Sequence, residues 1–285
     1  MEFRDFGQTG IRLSCVGLGG LLAHCWEGEA GNPPAEEKRR IYLHAAELGI
    51  NFFDMGYGDE VHIPDELKGP TSEHFFSLKN TTGADELESL VDHHCANLRR
   101  DAIDILRVHY HTFVDDEALR TKVAELKQRG KVRSVCLIRH YEADQRAYVH
   151  DGPVEEADGD LVIHNFVARH NEMGIEKAGR KGKGVLIMKA LGGQYLSWQH
   201  KNETDWTGAD QETIIHLSPM GESMRHEIDL VHSFTAGPWC DLADPGEPIA
   251  RTGKALAWVL QNRDVSCSYV AVASVAELDA ALEEL

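Results

Sequence analysis

The sequence predicts a (β/α)8 TIM barrel with an N-terminal β-hairpin, in one domain spanning residues 1–285. Three observations predict it. Short apolar runs alternate with amphipathic segments along the chain, the change of period that marks strand–helix units. With Val16–Leu18 there are eight such runs: Asn51–Phe53, Phe75–Leu78, Ile105–Val108, Val135–Ile138, Leu161–Ile163, Val185–Met188 and Tyr269–Ala273 complete the set. Eight units in 285 residues, 42% of them apolar, suit one large closed core.

The elements follow in order. Phe3 to Phe6 and Arg12 to Ser14, joined by Gly7-Gln8-Thr9-Gly10, read as a hairpin, because glycine and polar residues permit the turn. It is expected to plug the barrel floor. Val16-Gly17-Leu18 is the first barrel strand. Pro33-Pro34-Ala35-Glu36-Glu37 then opens a helix, with its acids on the positive end of the dipole, that runs to Gly49. Residues 194–248, rich in Gly, Pro, Trp and His, are too long for an ordinary connection and read either as a lid over the mouth or as a surface excursion with a helix near Ser223 to Ser233. Asp151 to Asp160 reads as solvated loop.

Composition excludes several classes. Forty-seven acids against 29 bases give a net charge of −18, which disfavours nucleic acid and anionic membrane surfaces as partners. The six cysteines are widely spaced without a CxxC pair, so reduced thiols are expected and neither a cluster nor a cysteine-rich zinc site is. The N-terminus has no apolar signal core and no run of about 18 apolar residues occurs, which predicts a cytoplasmic protein.

The chemistry concentrates at strand ends. The run Gly49-Ile50-Asn51-Phe52-Phe53-Asp54 ends on a carboxylate, and Tyr57 follows three residues later. Lys79 closes the next apolar run and His109 the one beyond. An unperturbed tyrosine is a poor acid at pH 7, and a nearby ammonium eases formation of its phenolate. Asp54 would keep that lysine charged, and His109 would add a fourth proton-handling group at the same end of the barrel. Taken singly, Asp54 could cap a turn, Lys79 could be a surface charge, and His109 is one of 16 histidines.

Longer motifs give these residues a context. Phe6-Gly7-Gln8-Thr9-Gly10-Ile11-Arg12-Leu13-Ser14-Cys15-Val16-Gly17-Leu18-Gly19, Leu48 to Asp54, Leu98 to His109, Gly130 to Val135 and Gly184 to Gly193 together resemble the aldo-keto reductases, from Phe3 to about Leu282. The resemblance implies a carbonyl–alcohol oxidoreductase using a nicotinamide cofactor. It implies Tyr57 as general acid, Lys79 as the group lowering its pKa, Asp54 as the lysine's partner and His109 as the residue orienting the substrate oxygen. The Asp54 to Tyr57 interval is three, against five in the family.

The cofactor half departs further. Ile138-Arg139-His140 stands where the family has a Ser-Asn or similar pair for the nicotinamide amide, Leu161 where it has glutamine, and His164 where an aromatic stacks on the ring; Asn165 is retained. Val272-Ala273-Ser274 onward resembles the pyrophosphate and adenosine segment without the Arg or Lys for a 2′-phosphate, so NADPH or NADH stays open. Arg251 or Lys254, at the start of the last long helix, is the alternative phosphate group. The cofactor-binding set implied is Gly19, His140, His164, Asn165, Lys189, Ala273 and Ser274. Arg139, His140, His164, Lys189 and His109 would make the mouth cationic. That suits a small carbonyl or sugar-like substrate, including an anionic one, ahead of a metal held with Asp54 or Asp59, and no metal is expected. The alternative function is cofactor-independent acid–base chemistry, of lyase or isomerase type, on the same barrel.

Overall fold

The structure is a computed structural model that describes residues 1–19, 33–55, 63–166, 168–191, 242–247, 250–272 and 274–285. Tyr57, Asp59, Ala273 and residues 194–241 lie outside the described residues, and with them the expected helix near Ser223 to Ser233.

Strands β1 (Phe3–Asp5) and β2 (Arg12–Ser14) form the antiparallel hairpin. Eight parallel strands then close the barrel: β3 (Val16–Leu18), β4 (Phe52–Asp54), β5 (Phe75–Lys79), β6 (Ile103–His109), β7 (Val132–Ile138), β8 (Gly159–Ile163), β9 (Gly184–Met188) and β10 (Cys267–Val270). Around the barrel β10 lies between β9 and β3, which closes the ring. The described helices are α1 (Ala35–Glu47), α2 (Ala84–Leu98), α3 (Tyr110–Asp115), α4 (Glu117–Gln128), α5 (Glu142–Asp151), α6 (Glu172–Arg180), α7 (Thr252–Leu260) and α8 (Val275–Leu282). None is long and apolar enough to cross a membrane.

The hairpin plugs the floor as expected. Phe6, Ile11 and Leu13 are fully buried and pack with the inward residues Phe52, Ile105, Cys136 and Leu186. Gly159 and Gly184 open β8 and β9 because a Cβ on either would strike the Phe6 ring. Gly7 turns the chain at φ +56°, and a Cβ there would approach Gly184 N to 2.6 Å.

Five strands, β6 to β10, begin earlier than their apolar runs suggested, and for β6 and β8 the reason is electrostatic. Asp104 in β6 is fully buried, yet it accepts from Phe76 N at 2.9 Å and Arg133 at 2.7 Å, with Arg100 Nη2 3.3 Å away. Asp160, in a stretch expected to be solvated loop, is also fully buried, in β8, where it accepts from Arg139 Nε at 2.7 Å. A polar residue with such partners sits in a strand at little cost. The last strand likewise begins at Cys267, two residues ahead of the expected Tyr269, and ends at Val270.

Candidate active site

The C-terminal ends of the strands gather the groups that the sequence singled out. Asp54, Lys79 and His109 are the last residues of β4, β5 and β6; His140 lies two residues after β7, His164 one after β8 and Lys189 one after β9. These ends open on one mouth, where barrels of this kind place their chemistry.

Strand parity decides which side chains share the interior. Phe52 and Asp54 alternate inward with Phe53 outward, and on β6 the inward set is Ile105, Arg107 and His109. Arg107 therefore reaches the barrel centre, where its guanidinium is ion-paired with Asp54. Ser77, paired with Asp54 in register, donates to the same carboxylate at 2.8 Å and lies 3.1 Å from the Tyr269 hydroxyl. Asp54 and Arg107 are 8% and 5% exposed, so a phenol, a hydroxyl, a carboxylate and a guanidinium form one buried chain beneath the mouth. Burial pushes the Tyr269 phenol well above its ordinary range, with the Asp54 charge adding to it. Sequence reasoning missed Arg107, Ser77 and Tyr269. The signal was present: a charge in the middle of an apolar run, two residues before His109, must face the way His109 does.

His109, His140 and His164 are neutral near pH 7. Burial, then the Lys79 ammonium, holds His109 down at about 4. His140 is held at about 3 by burial and by Lys189 and Lys79, and His164 at about 4 chiefly by burial. Among the described residues, His109 Nδ1 and His164 Nδ1 are buried without a hydrogen-bond partner. A neutral imidazole can donate to a carbonyl oxygen from one nitrogen, which is the role foreseen for His109.

Arg139 corrects the expected cationic ring. It follows the inward Ile138, so it turns outward, is fully buried, pairs with Asp160 and lies 3.6 Å from the centre of the Tyr110 ring. Arg139 bolts β7 to β8 and α3 and contributes no charge to the mouth. The alternative phosphate cations are also engaged: Arg251 binds Asp244, Glu283 and Glu284, and Lys254 lies 2.5 Å from Asp244.

Gly19, Asn165 and Ser274 of the implied cofactor set make local hydrogen bonds with the backbone. Gly19 N donates to Val270 O at 2.7 Å. Asn165 Nδ2 donates to Lys189 O at 3.0 Å, and Asn165 Oδ1 accepts from Ala168 N at 2.7 Å. Lys189 is held at φ +62°, a left-handed conformation unusual for lysine. Ser274 caps α8, its Oγ accepting from Glu277 N at 3.2 Å. The His164 ring lies 5.2 Å from that of Trp258 and is 2% exposed. Along the barrel, Gly19, Asn165, Lys189 and Ser274 follow the adjacent strands β3, β8, β9 and β10, whereas Asp54, Lys79 and His109 end β4, β5 and β6. The mouth is thus divided into two arcs.

Comparison with known proteins agrees with this architecture. No family model matches the chain. Over its full length it is 25% identical to an L-galactose dehydrogenase of Arabidopsis thaliana, 89% of which is matched. Among solved structures it superposes on the holo form of the aldo-keto reductase AKR11C1 of Bacillus halodurans with a TM-score of 0.69 at 17% identity, covering 100% of this chain and 90% of that one. In fold the chain resembles the aldo-keto reductases. The apo form of the same reductase gives a TM-score of 0.68 at 18% identity with the same coverage. At these identities the structural likeness carries the fold, and the chemistry has to come from the mouth itself.

Proposed function

We propose that this barrel is an oxidoreductase of the aldo-keto reductase type, interconverting a carbonyl and an alcohol on a small-molecule substrate with a nicotinamide cofactor. The observation that carries the reading is the two-arc mouth, with Asp54, Lys79 and His109 on three successive strand ends facing the β8, β9, β10 and β3 arc. The L-galactose dehydrogenase relative extends the reading to a sugar-like substrate.

In this reading Tyr57 delivers the proton to the carbonyl oxygen, Lys79 favours its phenolate, and neutral His109 donates a hydrogen bond to the same oxygen. Asp54, ion-paired with Arg107, would also keep the Lys79 ammonium charged. When bound, a nicotinamide supplies the hydride to the carbonyl carbon, or accepts it in the oxidising direction. Gly19, Asn165 and Lys189 would hold its nicotinamide side and Ala273 and Ser274 its phosphates, at the amino end of α8. The donor set fits: His164 Nδ1 is a buried, unsatisfied polar atom in that arc. We read NAD(H) ahead of NADP(H), because Arg251 and Lys254 are engaged by carboxylates. Four buried free cysteines suit a reducing compartment such as the cytoplasm.

The test is a titration of the pure protein with NADH and NADPH, followed by nicotinamide fluorescence and thermal shift. Absence of binding up to millimolar cofactor would sink the reading, and tighter binding of NADPH would overturn the cofactor preference. Tyr57→Phe is expected to abolish turnover while leaving cofactor affinity within about threefold.

A further inference from the structure

One cluster at the mouth is used by neither arc. His111 lies in the first turn of α3, two residues after His109, and its Nδ1 stands 3.0 Å from Asp144 Oδ2 in the first turn of α5. Asp144 is 2% exposed, whereas the His111 side chain is 44% exposed. An ionised carboxylate only accepts, so Nδ1 donates to it, and in the neutral ring Nε2 is the acceptor. Beside it Tyr141, at the amino end of α5, is 43% exposed. The Tyr141 ring lies 5.0 Å from His111, crossing it at 72°, and 5.6 Å from His109. A half-open aromatic wall therefore begins at His109 and ends on a fixed hydrogen-bond acceptor.

We propose that Tyr141 and the Asp144-held His111 form the wall that selects the substrate, a neutral polyhydroxylated carbonyl compound such as an aldose or its cyclic form. The proposal rests on the reading above, an oxidoreductase acting on a sugar-like substrate, and adds the residues that read it. The Tyr141 ring packs on the C–H face of a sugar, whose carbon-bound hydrogens suit the negative face of an aromatic ring. His111 Nε2 accepts from a sugar hydroxyl, and the Asp144 contact holds that acceptor in place. The wall adjoins His109, so a sugar stacked there has its reactive end beside the catalytic arc. A site built to bond a hydroxyl rejects analogues lacking it far more strongly than an apolar pocket rejects an extra one.

The experiment is equilibrium titration of the purified protein with galactose, with and without saturating oxidised cofactor, for the parent, Tyr141→Ala, His111→Ala and His111→Gln. Nicotinamide binding is measured on the same samples, and circular dichroism establishes that each variant is folded. Galactose is expected to bind the parent saturably, and the two alanine variants to bind at least tenfold more weakly. His111→Gln, which keeps an acceptor, should recover part of that loss. Where turnover is measurable, the preference for galactose over butanal should fall at least tenfold in both alanine variants. The proposal is overturned if galactose does not bind the parent, or if folded variants bind it like the parent. A failure to bind nicotinamide would instead strike the oxidoreductase reading, so the two failures are told apart.

Discussion

Arg107→Met removes the guanidinium from Asp54 while leaving the volume of the barrel centre nearly filled. Both partners are buried, so the change takes the guanidinium from a carboxylate that is held away from water. Removing one member of a buried pair costs about 3–5 kcal/mol, and the surviving Ser77 hydrogen bond argues for the lower end. At about 2.1 cal/mol/K per residue, 285 residues have an unfolding entropy near 0.6 kcal/mol/K, so the melting temperature should fall by about 5–8 °C. The assay is thermal unfolding by circular dichroism, repeated on Asp54→Asn and on the double variant. Because the double variant leaves neither charge unpaired, its loss should be smaller than the sum of the single losses by about 1 kcal/mol or more. Arg107→Lys, which keeps a cation but not the planar fork, should fall between parent and Arg107→Met. A melting temperature within about 2 °C of the parent for Arg107→Met, or strictly additive losses, would refute the buried pair.

Gly184→Ala should destabilise the barrel by about 1–3 kcal/mol through the clash with Phe6, and Phe6→Leu should restore part of the loss in denaturant melts. The folded-state values of His109 and His164 at about 4 and His140 at about 3 lie below the ordinary 6.5. The unfolded chain therefore binds more protons between those values and about 6.5, and these three groups make stability fall as pH drops through that window. Their ring resonances should still report neutral imidazole at about pH 5.5, and titration of all three near 6.5 would contradict the burial described. Burial raises the thiols of Cys15, Cys136 and Cys267 and lifts Cys95 to about 11, so a thiol reagent at pH 8 should leave these four unreacted until denaturant is added.

Much of the fold was legible along the chain. Eight apolar runs separated by amphipathic segments specify strands and helices by their period alone, and the hairpin, the barrel order and the strand-end positions of Asp54, Lys79 and His109 follow from them. Strand starts were less legible. A hydropathy pattern registers Asp104 and Asp160 as polar, and only their arginine partners explain why the strands run through them.

The site divides in the same way. The sequence determined which groups reach the mouth, because position at a strand end is a one-dimensional property. It did not determine partnerships, which join residues distant along the chain. Arg107 and Asp54 stand on β6 and β4 and meet only because closing the barrel turns both inward. Arg139, two residues before Tyr141, faces outward to Asp160, while Asp144 reaches back to His111 across the junction of α3 and α5. Inward or outward is a matter of parity that the sequence permits one to count. Which charge then meets which is settled by the packing of strands and helices against one another, since an ion pair needs contact in space and the chain order records none.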